Sequence, residues 1–137
     1  MFLHTKLKRR ENTMSKIVYT KDAPEAIGPY SQAVIAGNLV FTSGQIAIDP
    51  SCGQVVADTI EAQTEQVCKN LCAVLEAAGT SIEKAVKTTC FLSDMKNFAA
   101  FNEVYARYFV GKPARSCVAA RELPKGVLCE IEVVAEI

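Results

Sequence analysis

Two short runs near the C-terminus hold the residues best suited to chemistry. In Pro113-Ala114-Arg115-Ser116-Cys117-Val118-Ala119-Ala120, Arg115 and Cys117 are two apart, so a strand puts both on one face. In residues 128–137 the odd positions Cys129, Ile131, Val133, Ala135 and Ile137 are apolar, while Glu130, Glu132 and Glu136 stand at even ones. Period two sends the first set to a core and the carboxylates to the opposite face. The turn-like Leu123-Pro124-Lys125-Gly126 lies between the two runs. If these strands pair, Arg115 comes near Glu130 or Glu132. A guanidinium grips a carboxylate by two parallel hydrogen bonds, and a nearby glutamate can direct a water at a molecule held that way. The expectation is a site for a small carboxylic acid. The plainer alternative is an interface ion pair of Arg115 with one of these glutamates, and Glu132 and Glu136 read as solvated or interface charges.

The rest of the composition narrows the chemistry. The one histidine is His4, in the opening MFLHTKLKRRENT, so the domain that follows has no imidazole for a triad, a general base or a metal site. Catalysis falls to carboxylates, Arg, Tyr, Ser, Cys or backbone groups. Ser43 lacks a histidine partner, which argues against a serine nucleophile. The six cysteines, at 52, 68, 72, 90, 117 and 129, form no CxxC pair. They read mostly as small buried hydrophobes in a reducing cytosol rather than as zinc ligands. Beside Arg115, Cys117 reads either as a packed residue or as a thiol whose thiolate the guanidinium favours.

Formal net charge is zero, but residues 1–13 carry Lys6, Lys8, Arg9 and Arg10 against Glu11, leaving 11 basic and 14 acidic residues beyond them, a net of −3. That balance and the lack of a basic aromatic groove argue against a nucleic-acid partner. Half the residues are hydrophobic, as in a globular chain, yet no apolar run approaches the roughly 20 residues that span a bilayer. Residues 1–13 contain no apolar signal core. They read as an upstream start, a cloning remnant or a weak organelle-targeting stub, and residues 14–137 as one domain, placed in the cytoplasm.

The elements that must position these residues follow from periodicity and punctuation. Residues 16–20 read as an edge strand, and 23–31, broken by Pro24, Gly28 and Pro29, as a loop. Residues 33–36 and 39–43 flank Gly37-Asn38 as a hairpin, and Asp49-Pro50-Ser51-Cys52-Gly53 is a turn. Asp58 or Thr59 caps a long helix with the apolar stripe Ile60, Val67, Leu71, Val74 and Ala78, closed by Gly79. Residues 85–92 read as a strand with Val86, Thr88, Cys90 and Leu92 on one face. Phe98, Phe101, Tyr105 and Tyr108, spaced 3-4-3, mark a second helix whose aromatic stripe reads as core. Two helices cannot hide every strand. With both on one sheet face, the other is left with Arg115, Cys117, Glu130 and Glu132, a face that a closed oligomer would cover.

Four strings stand out in order: Gly28-Pro29-Tyr30-Ser31-Gln32-Ala33, Thr42-Ser43-Gly44-Gln45, Val86-Lys87-Thr88-Thr89, and Pro113-Ala114-Arg115-Ser116-Cys117-Val118 followed by Glu130-Ile131-Glu132. Together they resemble the Rid family, also called YjgF or L-PSP-type, the reactive intermediate imine/enamine deaminases. The resemblance runs from about residue 16 to 137. It implies a chorismate-mutase-like α+β fold, a mixed sheet of about six strands with two helices on one face, assembled as a homotrimer with sites between subunits. It implies hydrolysis of 2-imino acids such as 2-iminobutanoate and 2-iminopropanoate, or their enamines, to 2-oxo acids and ammonia, with no cofactor or metal.

By position, Arg115 matches the arginine that clamps the substrate carboxylate, and Glu130 the acid beside the attacking water. Tyr30 matches a tyrosine lining the cleft, the alternative being a plain loop anchor. Ser43 and Gly44 match the loop beside it. Cys117 matches a residue whose backbone holds the substrate nitrogen, and Asn102 a polar residue of the second helix. The chain departs from the pattern before Pro113, where many members carry a longer segment and here only Val110-Gly111-Lys112 intervene. Two rival functions attach to such a chain: an endoribonuclease or translation inhibitor, and a ligand-binding or chaperone-like trimer without turnover.

Overall fold

Local chemistry sets the ends of the elements. Gly37 takes φ +63°, the positive angle that a two-residue turn opening with glycine needs, and joins strands β2 (Ala33–Ala36) and β3 (Leu39–Thr42). Thr59 starts helix α1 (Ile60–Ala77) by accepting the Ala62 amide on its side chain. Past Ala78, the Thr80 amide donates to the Leu75 carbonyl and the Gly79 amide to Glu76, with Gly79 at φ +87°. This double closure is the glycine-dependent helix stop anticipated at that position. Helix α2 (Phe98–Tyr108) matches the aromatic spacing.

In the computed structural model, which describes residues 15–137, these elements join β1 (Lys16–Val18), β4 (Ile48–Asp49), β5 (Gln54–Val55), β6 (Ala85–Leu92), β7 (Ala114–Ala119) and β8 (Cys129–Glu136). The basic leader and His4 lie outside the described residues. Six strands form one mixed sheet in the order β1-β2-β3-β8-β6-β7, and β4 and β5 form a separate ribbon around the expected Asp49–Gly53 turn. All pairs in the large sheet are antiparallel except β6 with β7. The fold is α+β, with two helices on one face of a six-stranded sheet.

That order corrects one expectation. The strands bearing Arg115 and Glu130 do not pair, because β6 lies between them. A strand that returns through a helix lies parallel to its predecessor, so α2 delivers β7 to the outer side of β6. The last strand, β8, takes the antiparallel slot between β6 and β3.

The core lies between the sheet and the two helices. Cys129, Ile131, Val133 and Ala135 of β8 are buried there with Thr88, Cys90 and Leu92 of β6, under Val67, Leu71 and Val74 of α1 and Phe101 of α2. Val86 departs from the expected face: a bulge between Ala85 and Lys87 buries Ala85 and turns Val86 outward. On the opposite face Ile17, Phe41 and Val118 are exposed, beside Glu132, Thr89 and Lys87. Among the described residues no helix is long and apolar enough to cross a membrane.

Candidate functional site

The sheet divides the expected site residues into two groups on opposite faces. In register, Arg115 stands beside Thr88 and Cys117 beside Cys90, so both take the helix-covered side. The expectation that this pair belongs to the uncovered face is therefore wrong for Arg115 and Cys117. It holds for Glu130 and Glu132, which stand beside Phe91 and Thr89.

The first group forms around Arg115. Its Nη1 donates to Oδ1 of Asn102 at 2.8 Å. Its guanidinium lies 4.7 Å from the centre of the Tyr105 ring and 5.5 Å from that of Phe98. Residues 98, 102 and 105 fall on one face of α2 because their spacing is four and three. A cavity of about 520 Å³ opens beside Asn102, Tyr105 and Arg115, lined also by Phe109, Val110, Lys112 and Pro113. No carboxylate pairs with Arg115 among the described residues, where the one ion pair joins Lys96 to Asp94. Cys117 sits half-buried on the same strand. Burial pushes its thiol up, and the Arg115 charge only partly counters this.

The short connection before Pro113 has its own geometry. The Lys112 amide donates to the Phe109 carbonyl, and Lys112 takes φ +51°. Gly111 lies so close to the chain before β6 that a Cβ there would meet the Glu83 carbonyl oxygen at 2.8 Å. The segment is a tight turn seated on backbone.

The second group surrounds a cavity of about 690 Å³ lined by Tyr30, Gln32, Ser43, Gly44, Glu130 and Glu132, among others. After β3 the chain bridges β8, with Gln45 and Ile131 exchanging backbone hydrogen bonds. Gly44 is thereby laid against Glu130. An added Cβ at Gly44 would stand 2.5 Å from Oε2 of Glu130, so the carboxyl occupies the space that a side chain would need. Burial, then the charge of Glu132, raises the Glu130 carboxyl above its ordinary range. The Ser43 hydroxyl donates to the Ser31 carbonyl at 2.5 Å and ties down the loop that presents the exposed Tyr30.

Three contributors lie beyond the expected site residues. Tyr105 and Phe98 were expected to be core, yet they also carry the guanidinium. The signal was available in the shared helix face of Phe98, Asn102 and Tyr105. Gln32 is buried and holds the loop from within: its Nε2 donates to the carbonyls of Thr20, Pro24 and Ala23, and its Oε1 accepts from the Thr20 amide. Five thiols are packed away wholly or in part and Cys52 is exposed; all six are free. Burial pushes Cys90 up to about 12 and Cys129 to about 11.

The fold and these cavities define a small α+β domain with an arginine-bearing pocket on one side and a carboxyl-bearing one on the other. Residues 20–137 match the profile of the family described as Endoribonuclease L-PSP, and the chain belongs to this family, to which the Rid proteins also belong. A RutC family protein of Pyrococcus horikoshii is 52% identical over 123 residues, covering 89% of this chain and 98% of its own. The Rid-family protein YyfA of Yersinia pestis, of unknown function, is 49% identical with a TM-score of 0.88, over 90% of this chain and 100% of that one. TdcF of E. coli, solved with bound serine, is 44% identical with a TM-score of 0.84, over 89% and 98%.

Proposed function

We propose that this protein hydrolyses 2-imino acids, such as 2-iminobutanoate and 2-iminopropanoate, and their enamine tautomers to 2-oxo acids and ammonia. The active form is a homotrimer whose sites lie between subunits. The observation that carries this reading is the Arg115 guanidinium, half-buried, oriented by Asn102 and without an ion-pair partner among the described residues. A cation held so is complementary to a small carboxylate. Family membership and a relative solved with a bound amino acid support the substrate class.

In this mechanism Arg115 holds the substrate carboxylate and so fixes C2 against a water that Glu130 contacts from the neighbouring subunit. The imine is electrophilic once protonated, so orientation and a proton carrier suffice. Glu130 accepts a proton as the water oxygen bonds to C2, and the C=N bond becomes a C–N single bond. Glu130 then returns the proton to nitrogen; as the C–N bond breaks, the C2 hydroxyl gives its proton back to Glu130 and becomes the carbonyl, so ammonia leaves and the 2-oxo acid remains. A carboxyl raised by burial suits both halves of that exchange. Tyr30, Ser43, Gly44, Asn102 and Cys117 complete the walls.

The test couples a threonine dehydratase to semicarbazide trapping. Wild-type protein diverts the imine to 2-oxobutanoate before it is trapped; Arg115→Ala and Glu130→Gln do not. Trapping unchanged by the wild type overturns the reading. Saturable binding of 2-oxobutanoate without acceleration then identifies a binding protein, the alternative that the serine-bound relative favours.

A further inference from the structure

We propose that Tyr105, tethered by Thr88, is the positioning residue that sets the plane of the Arg115 guanidinium. The inference rests on the reading of Arg115 as the carboxylate clamp and concerns how that clamp is aimed.

Arg115 lies on β7, the last strand of the sheet, so one side of its backbone has no neighbouring strand to crowd the side chain. Arginine on such an edge has several rotamers open to it, and a fork that samples them all loses its advantage over a point charge. The bond to Asn102 at 2.8 Å fixes one nitrogen but leaves the group free to turn about it. One of the five N–H donors is used in this way; the others meet no acceptor among the described residues. The Tyr105 ring, 4.7 Å from the guanidinium carbon, removes that freedom, because a cation is held best over the face of a ring.

The ring is itself held from three sides. Its hydroxyl and that of Thr88 are 2.7 Å apart in a buried contact. Phe109 stacks on it at 4.3 Å with 22° between planes, and Phe101 stands at 5.7 Å. Thr88 is fully buried and Tyr105 is 8% exposed. Thr88 is also the residue paired with Arg115 across the β6–β7 ladder. The strand neighbour of Arg115 thus grips the ring on which the Arg115 side chain rests, and the path Arg115–Thr88–Tyr105–Arg115 closes on itself. A phenylalanine would fill this core equally well. The buried hydroxyl needs a partner, and having one on β6 fixes the ring's height beneath the guanidinium.

The experiment compares Tyr105→Leu, Tyr105→Phe and Thr88→Val with the wild type by two readouts. The first is the NMR signal of the Arg115 Nε–Hε group, assigned by its loss in Arg115→Lys. The second is KM and kcat on dehydratase-generated imine, with Kd for 2-oxobutanoate. The wild-type signal is displaced by the ring current and sharp. In Tyr105→Leu it moves toward the position of a free arginine, with only the more distant Phe98 ring left beside it, and KM and Kd rise about tenfold with kcat little changed, since the clamp holds ground state and transition state alike. Tyr105→Phe and Thr88→Val keep a displaced but broadened signal and raise KM by about threefold, a lesser loss because the ring remains. A folded Tyr105→Leu with unchanged signal and KM overturns the proposal. If that variant does not fold, unchanged signal and KM in both milder variants overturn it. A wild type with no imine turnover and no 2-oxobutanoate affinity, whose Arg115 signal still moves in Tyr105→Leu, supports the platform and overturns the deaminase reading instead.

Discussion

Arg115 and Glu130 project from opposite faces of one sheet, with β6 between their strands. Across the ladders Arg115 meets Thr88 and then Val133, while Glu130 meets Phe91 and then Val118. Two strand spacings, about 10 Å, separate β7 from β8, and the sheet stands between the two side chains. Within one chain they cannot act on the same small molecule.

This separation predicts complementation. Arg115→Ala and Glu130→Gln are each inactive alone. Unfolded together and refolded as a mixture, they form trimers in which some sites combine an intact Arg115 from one copy with an intact Glu130 from another. Random assembly at equal amounts restores about a quarter of wild-type sites. Size-exclusion chromatography with light scattering gives the stoichiometry, and the imine assay gives the recovery. No regain of activity in mixed trimers places both groups in one subunit's site and refutes the arrangement.

Gly44→Ala separates room for the carboxyl from backbone need. Gly44 is not among the glycines with positive φ, so alanine fits its backbone. Its Cβ nevertheless takes the space of Glu130 Oε2. The flexible carboxyl moves aside, and kcat falls by about 10- to 100-fold, the usual cost of moving a catalytic group by an ångström. Thermal stability stays near wild type, as differential scanning calorimetry will report. Unaltered kcat means that Glu130 acts from elsewhere or not at all.

The acidic limb of the kcat/KM profile belongs to Glu130 in this mechanism, which needs the ionised form to take a proton from water. Burial and the charge of Glu132 raise its pKa, so activity falls at a higher pH on acidification than for an ordinary glutamate. Glu132→Gln removes a like charge, favours the ionised form, and moves the limb to lower pH. A limb that stays in place in this variant, or moves up, contradicts the assignment.

Gln32→Leu tests the strut beneath the Tyr30 loop. The change leaves the Thr20 amide and the carbonyls of Thr20 and Pro24 without their partner. Buried groups stranded in this way cost about 1–3 kcal/mol each, less where water can enter. A loss of about 3 kcal/mol in unfolding free energy is expected in urea titration, with faster protease cleavage between Ala23 and Ser31. A variant as stable as wild type means that the loop holds by other contacts.

Much of the fold was legible because its signals are local. Thr59 and Gly79 mark the ends of α1 through hydrogen bonds within a few residues. Alternation along β8 was enough to separate Cys129, Ile131 and Val133 from Glu130 and Glu132. The tie between Arg115 and Cys117 follows from their spacing alone. The error at Val86 has an equally local cause, a one-residue bulge that shifts the phase of a strand and leaves no mark in hydrophobicity. Tyr105 was read as core, and it is core; its second role under Arg115 depends on which strand lies beside α2.

The amino-acid order alone determined which residues of β7 and of β8 share a face, where α1 begins and ends, and that an arginine and a set of glutamates lie near the C-terminus. The tertiary structure decided which faces those are. Strand order depends on the path of the α2 crossover and on β8 entering between β3 and β6, contacts between residues distant in sequence. Periodicity carries no information about such contacts, because a strand of period two satisfies its apolar face equally beside any neighbour. Only the assembled sheet puts Arg115 over Tyr105 and Glu130 against Gly44, on opposite sides of the same layer.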